Sequence, residues 1–272
     1  MSWCLEPLFP YAGGKRQSLG HISPYLRHTQ TYVEPFFGGG AVYCHMVNLR
    51  LAKNFIINDI HQKIIGVYKA IRNDPEAFYS EYSDLLARYR SLCIGGKSIM
   101  FADQQDAINI KYNAASYLFI RTSNFGGILK SDAHGNDISP SGHMRAPNRS
   151  PKVDRDKIIL WSKALCKTEI QCGDFERLNM SVDNAIVFCD PPYIATKIVY
   201  NRFTNGDQVR CLNWCKRLSD NKSICVLLSN RDHGRFFSKR ICGNVDCISY
   251  EKAYSAGENV RNKEAQIIWN RK

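Results

Sequence analysis

Asp190-Pro191-Pro192-Tyr193 stands at the end of the apolar run Ala185-Ile186-Val187-Phe188-Cys189. The run has the length and β-branched content of a buried strand, and two consecutive prolines can continue neither a strand ladder nor a helix, so the chain must stop there. The stop turns three groups toward one crevice: the Asp190 carboxylate, the Pro191 carbonyl, and the flat ring of Tyr193 on a backbone stiffened by Pro192. Two acceptors beside a stacking surface suit a planar base that carries an exocyclic amino group. A strand that ends in a proline-stiffened turn is the plainer reading, and it gives way only if a cofactor site lies elsewhere in the chain.

Such a site is suggested upstream. Thr31-Tyr32-Val33-Glu34-Pro35-Phe36-Phe37 reads as a short buried strand that breaks into Gly38-Gly39-Gly40 before a helical stretch, Ala41 to Arg50. Strand, glycine turn and helix together open the ligand side of a doubly wound sheet, since the glycines admit positive φ and the helix N-terminus offers unpaired amides. The spacing is not that of the dinucleotide fingerprint, and Glu34 at the strand end suits a cationic amino group better than a pyrophosphate. The next strand, Asn54 to Asn58, ends in Asp59. An acid there either hydrogen-bonds ribose hydroxyls or caps the helix predicted over Ile60 to Arg72, and both roles stay open. Pro10-Tyr11-Ala12-Gly13-Gly14-Lys15 lacks the spacing of a nucleotide triphosphate loop. On its own, Lys15 reads as a surface lysine.

The remaining elements alternate. Helices are predicted from Asp74 to Tyr89, Asp103 to Arg121, Asp154 to Cys166 and Asp207 to Leu218; strands from Thr168 to Cys172, Ser223 to Leu228, Val245 to Tyr250 and Ala265 to Asn270. The last two strands flank a polar loop that carries Lys252, Asn259, Arg261 and Lys263. Residues 123 to 150 are rich in Gly, Ser, Asn, His and Pro, with Phe125, Lys130, Arg145 and Arg149 spread through them. A loop of that length with aromatic and basic residues is what DNA reading requires. The alternation predicts an α/β fold of about seven strands, mostly parallel, with a segment inserted near the middle; residues 1–80 and 151–272 are expected to form the two parts of one domain and 81–150 the insert.

Composition bounds the partners. The 272 residues carry a formal net charge of +12, which points to a polyanion, although charge alone fits RNA or an acidic membrane as well as DNA. The 11 cysteines form no Cys-x-x-Cys, and those inside apolar runs read as reduced core residues, so no metal is expected. No apolar stretch is long enough to span a bilayer, and Met1 to Pro10 lacks a signal-peptide layout, so a soluble cytoplasmic protein of a bacterium or a phage-infected cell is expected.

Taken together, Pro10 to Lys15, Val33 to Gly40, Asn58-Asp59-Ile60 and Asp190 to Tyr193 resemble, in order and over nearly the whole chain, the Dam-type or D12 class of DNA adenine-N6 methyltransferases. The resemblance implies a Rossmann-like, mostly parallel seven-stranded sheet, with 1–80 and 151–272 as the catalytic domain and 81–150 as an inserted target-recognition region. The activity it implies is transfer of methyl from S-adenosylmethionine to adenine N6 in double-stranded DNA, with the target base flipped out. It implies that Tyr11, Lys15, Glu34, Phe36, Gly38, Gly40, Asp59, Asp174, Phe175 and Asp190 border the cofactor, and that Asp190, Pro191, Pro192 and Tyr193 are catalytic. Phe125 falls where the family wedges an aromatic into the duplex. Lys130 falls where members that act on GATC have a guanine-reading arginine, so GATC or a related short site is expected. Arg145, Arg149, Lys252 and Arg261 complete the expected DNA contacts, with the protein acting as a monomer or weak dimer on DNA. An RNA or protein-amide N-methyltransferase, and a DNA-binding protein without catalysis, are the rival readings.

Overall fold

The computed structural model describes residues 4–132, 134–142, 153–193, 203–231, 236–237, 239–241, 245–253 and 261–270; for 251–253 and 261–263 it describes the backbone only. The chain opens with a short irregular helical segment that contains α1 (Leu19–Ile22) and then forms β1 (Thr29–Glu34), α2 (Ala41–Asn48), β2 (Ala52–Asp59) and α3 (Gln62–Asn73). Four helices follow, α4 (Pro75–Ser91), α5 (Ile94–Ile110), α6 (Ala114–Ser123) and α7 (Arg155–Leu165). The remainder is β3 (Thr168–Cys172), β4 (Ala185–Cys189), α8 (Asn205–Asp220), β5 (Ile224–Asn230), β6 (Val245–Ala253) and β7 (Arg261–Trp269).

The seven strands lie in the order β3-β2-β1-β4-β5-β7-β6. β3, β2, β1, β4 and β5 are parallel, and β7 pairs antiparallel with both β5 and β6. Strand alternation explains how one sheet supports two apolar layers. Tyr32, Phe55, Ile186, Phe188, Leu227 and Ile268 pack with helices α2 to α7 on one face. Their neighbours Val33, Ile56, Val187, Val226, Leu228 and Ile267 pack with α8, Phe175 and Leu178 on the other. Strand order reverses between β1 and β4, so a crevice opens at the carboxyl ends of those two strands.

Two expectations change. The predicted Asp103 to Arg121 helix is two helices, because Asn113 breaks it and caps α6, its side chain accepting the Ser116 N–H at 2.8 Å. Lys252, Arg261 and Lys263 belong to the ladder between β6 and β7 rather than to a loop, with Lys252 opposite Asn262 and Ala253 opposite Arg261. α4 runs unbroken through position 81, and α4 to α6 share the apolar layer of the sheet. No helix among the described residues is long and apolar enough to cross a membrane. The ten described cysteines are free thiols.

Candidate active site

β1 ends at Glu34 and neighbouring β2 at Asp59, two positions beyond the residue that pairs with Glu34, and Asp190 follows β4 on the other flank of β1. Glu34 is buried and accepts the Tyr32 hydroxyl at 2.8 Å. Burial pushes its carboxyl well up and the Asp190 charge adds to that, against the Tyr32 bond and the charge of Lys15. Asp59 takes the Gly38 N–H on Oδ2 at 2.8 Å and the His61 N–H on Oδ1 at 2.9 Å. It therefore braces the glycine turn and the start of α3, while His61 is the capping residue itself. Burial raises the Asp59 carboxyl as well, offset in part by these backbone donors.

The turn needs its glycines. Gly38 has φ +49°, and a Cβ there would lie 2.8 Å from the ring of Tyr11; at Gly40, φ +67°, it would lie 2.7 Å from the ring of Phe37. Tyr11 thus covers the turn through which β1 enters α2.

Lys15 is buried rather than on the surface, being only 3% exposed. Its ammonium lies 2.7 Å from Asp190 Oδ2, donates to the Gly13 carbonyl at 2.9 Å and stands 4.7 Å from the centre of the Tyr193 ring. Burial works against its charge, but Asp190 and Glu264 outweigh that and hold the ammonium above its ordinary pKa. The Asp-Pro-Pro-Tyr segment is gripped from two further elements. Gln208 on α8 donates to the Pro192 carbonyl at 2.6 Å and accepts from Asn230 at 3.0 Å. The Tyr193 hydroxyl bonds Ser229 at the end of β5 at 2.9 Å, and Arg231 lies 6.0 Å from the ring centre.

Beside Glu34, an aromatic slot is built from Phe36 and Phe175, with ring centres 5.2 Å apart, and Phe203, 6.0 Å from Phe36. Asp174 caps the turn that carries Phe175 and is bound by Arg210, whose guanidinium also lies 5.1 Å from the Phe175 ring.

The turn that follows α6 touches the same region through its backbone. The Gly127 carbonyl accepts the Ala12 N–H at 3.3 Å and the fully buried Arg121 guanidinium at 2.8 Å. Arg121 also donates to the Ile128 carbonyl at 3.2 Å. Phe125 is half-buried at the start of this turn, and Lys130 is exposed just beyond it. Arg145 and Arg149 lie outside the described residues, as do the side chains of Lys252 and Arg261.

Sequence reading assembled Lys15, Glu34, Asp59, Phe175 and Asp190 around one edge, but it passed over Ser229, Gln266, Tyr250, Glu264, Gln208 and Arg210. A signal existed for some of them: Ser229-Asn230 closes an apolar strand, and Glu264 and Gln266 alternate with apolar residues in the last one. No group of three or more His, Cys, Asp or Glu side chains among the described residues could hold a metal ion.

Residues 11–267 match the family model of the D12 class N6 adenine-specific DNA methyltransferases. The type II methyltransferase M.MjaIII of Methanocaldococcus jannaschii is 28% identical over 257 residues, 86% of this chain and 87% of its own. M1.LlaDCHI of Lactococcus lactis subsp. cremoris, another type II methyltransferase, is 27% identical, covering 97% of this chain and 94% of its own. A DNA adenine methylase of Vibrio cholerae is 21% identical across 95% of this chain and 93% of its own. With a crevice that sets Asp-Pro-Pro-Tyr beside the acids of β1 and β2, and with the family match spanning nearly all of its length, the chain belongs to the D12 class of N6 adenine-specific DNA methyltransferases.

Proposed function

We propose that the enzyme uses S-adenosylmethionine and acts on an adenine flipped out of double-stranded DNA, at GATC or a related short site. The observation that carries this reading is the charge arrangement of the crevice: Glu34, Asp59 and Asp190 end or follow three adjacent strands, with the buried cation Lys15 set against Asp190. A pocket with that excess of carboxyl groups suits a ligand bearing positive charge, and the raised Glu34 carboxyl is poised to ionise against an ammonium.

The residues present fit such a donor. Glu34 would hold its amino group, Asp59 its ribose hydroxyls, and the slot of Phe36 and Phe175 with Asp174 its adenine, while Tyr11, Lys15, Gly38 and Gly40 line the approach. When bound, S-adenosylmethionine supplies an electrophilic methyl on a sulfonium sulfur. Adenine N6 is a poor nucleophile, because its lone pair is delocalised into the ring. In this reading the Asp190 carboxylate and the Pro191 carbonyl accept its two hydrogens and draw the nitrogen toward tetrahedral geometry, while Tyr193 stacks on the base and Pro192 stiffens the turn. Lys15, by pairing with Asp190, favours the acceptor-only form of that carboxyl. As N6 gains the methyl that the sulfonium sulfur gives up, one N6 hydrogen leaves as a proton to its acceptor or to water, and catalysis rests on alignment and electrostatics without a covalent enzyme intermediate.

The net charge of +12 supports DNA as the partner. Phe125 would enter the stack and Lys130 would read a base edge, with Arg145, Arg149, Lys252 and Arg261 on phosphates. Transfer of labelled methyl from S-adenosylmethionine to duplex oligonucleotides tests the proposal, with RNA of the same sequence as control and calorimetry for cofactor binding. Expected are incorporation into duplex adenine alone and its loss in a folded Asp190→Ala variant. Full activity in that variant, or preferential methylation of RNA, would overturn it. Sequencing modified adenines in DNA from expressing cells reports the site.

A further inference from the structure

We infer that Ser229 and Gln266 are positioning residues for Tyr193, forming the near end of a buried polar relay that returns to the lysine side of the crevice. This inference rests on the reading of Tyr193 as the stacking residue, and it concerns what holds that ring in place.

The relay is set by strand register. Ser229 lies opposite Gln266 in the antiparallel ladder of β5 and β7, and Glu264, two residues from Gln266 and on the same face, lies opposite Tyr250 of β6. Ser229, Gln266 and Glu264 are all completely buried, in strands whose neighbouring positions are Leu227, Leu228, Ile267 and Ile268. Polar side chains in such a place are costly unless each finds a partner. Here the Gln266 amide donates one hydrogen to Ser229 Oγ at 2.8 Å and the other to Tyr250 Oη at 3.2 Å, while its carbonyl oxygen meets no hydrogen-bond donor among the described residues. Tyr250 spends its single hydroxyl hydrogen on Glu264 Oε2 at 2.7 Å. Glu264 Oε2 also takes the Ser18 hydroxyl at 3.4 Å, at the end of the turn that carries Lys15. These bonds fix the donor directions in the interior of the relay, and Ser229 Oγ meets the Tyr193 hydroxyl from a place it cannot easily leave.

The consequence concerns Tyr193 because the cations around its ring hold it softly. Lys15 stands over the ring at 4.7 Å from its centre and Arg231 at 6.0 Å, contacts that favour the ring's face but do not set the direction of its hydroxyl. The hydrogen bond to Ser229 supplies a directional restraint that neither cation does. A loosened ring would still bind DNA and cofactor but would hold the base out of line for transfer, so the effect falls on kcat.

A double-mutant cycle separates this role from mere support of the β5–β7 ladder. We expect Tyr193→Phe and Ser229→Ala each to lower kcat on duplex DNA by about 2- to 12-fold, on the scale of one neutral hydrogen bond, with little change in KM for the cofactor. The double variant should be no slower than the slower single, Gln266→Met should follow Ser229→Ala, and Ser229→Thr should keep most of the rate. Tyr193→Phe leaves the ladder untouched, so it probes the bond even if the Ser229 variants fold poorly. In the free protein labelled with 13C-tyrosine, the ring signal that Tyr193→Phe removes should shift in Ser229→Ala. Independent, multiplying losses in the double variant, full kcat in Tyr193→Phe, or an unmoved Tyr193 signal would each overturn the assignment. Absence of methyl transfer by the parent chain would instead count against the proposed function, and the ring signal would still decide the positioning role.

Discussion

Replacing Glu34 by Gln sets stability against binding, and the sign of each follows from the site. Glu34 is 3% exposed, with burial raising its carboxyl well above the ordinary value of 4.5 and Asp190 nearby opposing its charge. Below pH 4.5 the folded and unfolded chains both carry this proton, so the wild type and the variant should then differ little. As pH rises, the unfolded chain releases the proton while the folded chain keeps it, and the wild type loses stability until the folded group also titrates. Each pH unit of that interval costs about 1.4 kcal/mol. The Glu34→Gln variant escapes this cost and keeps a carbonyl oxygen for the Tyr32 hydroxyl, now 2.8 Å from Glu34. We expect it to be more stable than wild type at pH 8, by about 2–4 °C in Tm for each kcal/mol of that difference. Binding should move the other way: loss of a charge-assisted bond to an ammonium weakens S-adenosylmethionine by roughly 10- to 100-fold. Calorimetry in two buffers of different ionisation enthalpy should detect proton release on binding to wild type and not to the variant. A variant less stable than wild type by the same amount at pH 4 and pH 8, or one that binds the cofactor normally, would refute the reasoning.

Other perturbations address other parts of the crevice. Lys15→Met leaves Asp190 without its partner at 2.7 Å and should lower kcat by about 100-fold at saturating cofactor, with Lys15→Arg recovering part; methyl-transfer rates check both. Gly38→Ala places a methyl at φ +49° about 2.8 Å from the Tyr11 ring, and should cost about 1–3 kcal/mol in denaturant unfolding and weaken cofactor binding. Burial, with the charge of Arg121 next, holds His61 down to about 4, so the folded chain refuses a proton that the unfolded chain accepts. Stability should therefore be lost as pH falls from about 6.5 toward 4. His61→Asn, which can still cap α3, should flatten that part of the Tm profile, and an unchanged slope would count against it.

Local signals carried much of the fold. β3 and β4 have the limits their residues predict, because β3 alternates Thr168, Ile170 and Cys172 with Glu169 and Gln171 while β4 is a continuous apolar run, and each is closed by a turn; the glycine turn after Glu34 is legible because only glycine accepts its backbone. The break between α5 and α6 was obscured by apolar spacing that continues through Ile108, Tyr112 and Tyr117, although Asn113 offered a capping signal. The start of α5 was hidden for another reason: Gly95 and Gly96 sit in its first turn, where local propensity argues against helix.

What the sequence determined by itself is the set of parts: a strand that must end at Asp190, a turn that must be glycine at 38 and 40, and acids at the ends of β1 and β2. Each depends on interactions within a few residues of chain. The burial of Lys15 against Asp190, and the relay through Ser229, Gln266, Tyr250 and Glu264, were decided by tertiary structure. They join residues 175 and 37 positions apart, and their partners are chosen by the register of neighbouring strands and by the low-dielectric interior those strands enclose. Charge and hydroxyl direction acquire their strength only there, and no local pattern encodes which buried group will face which.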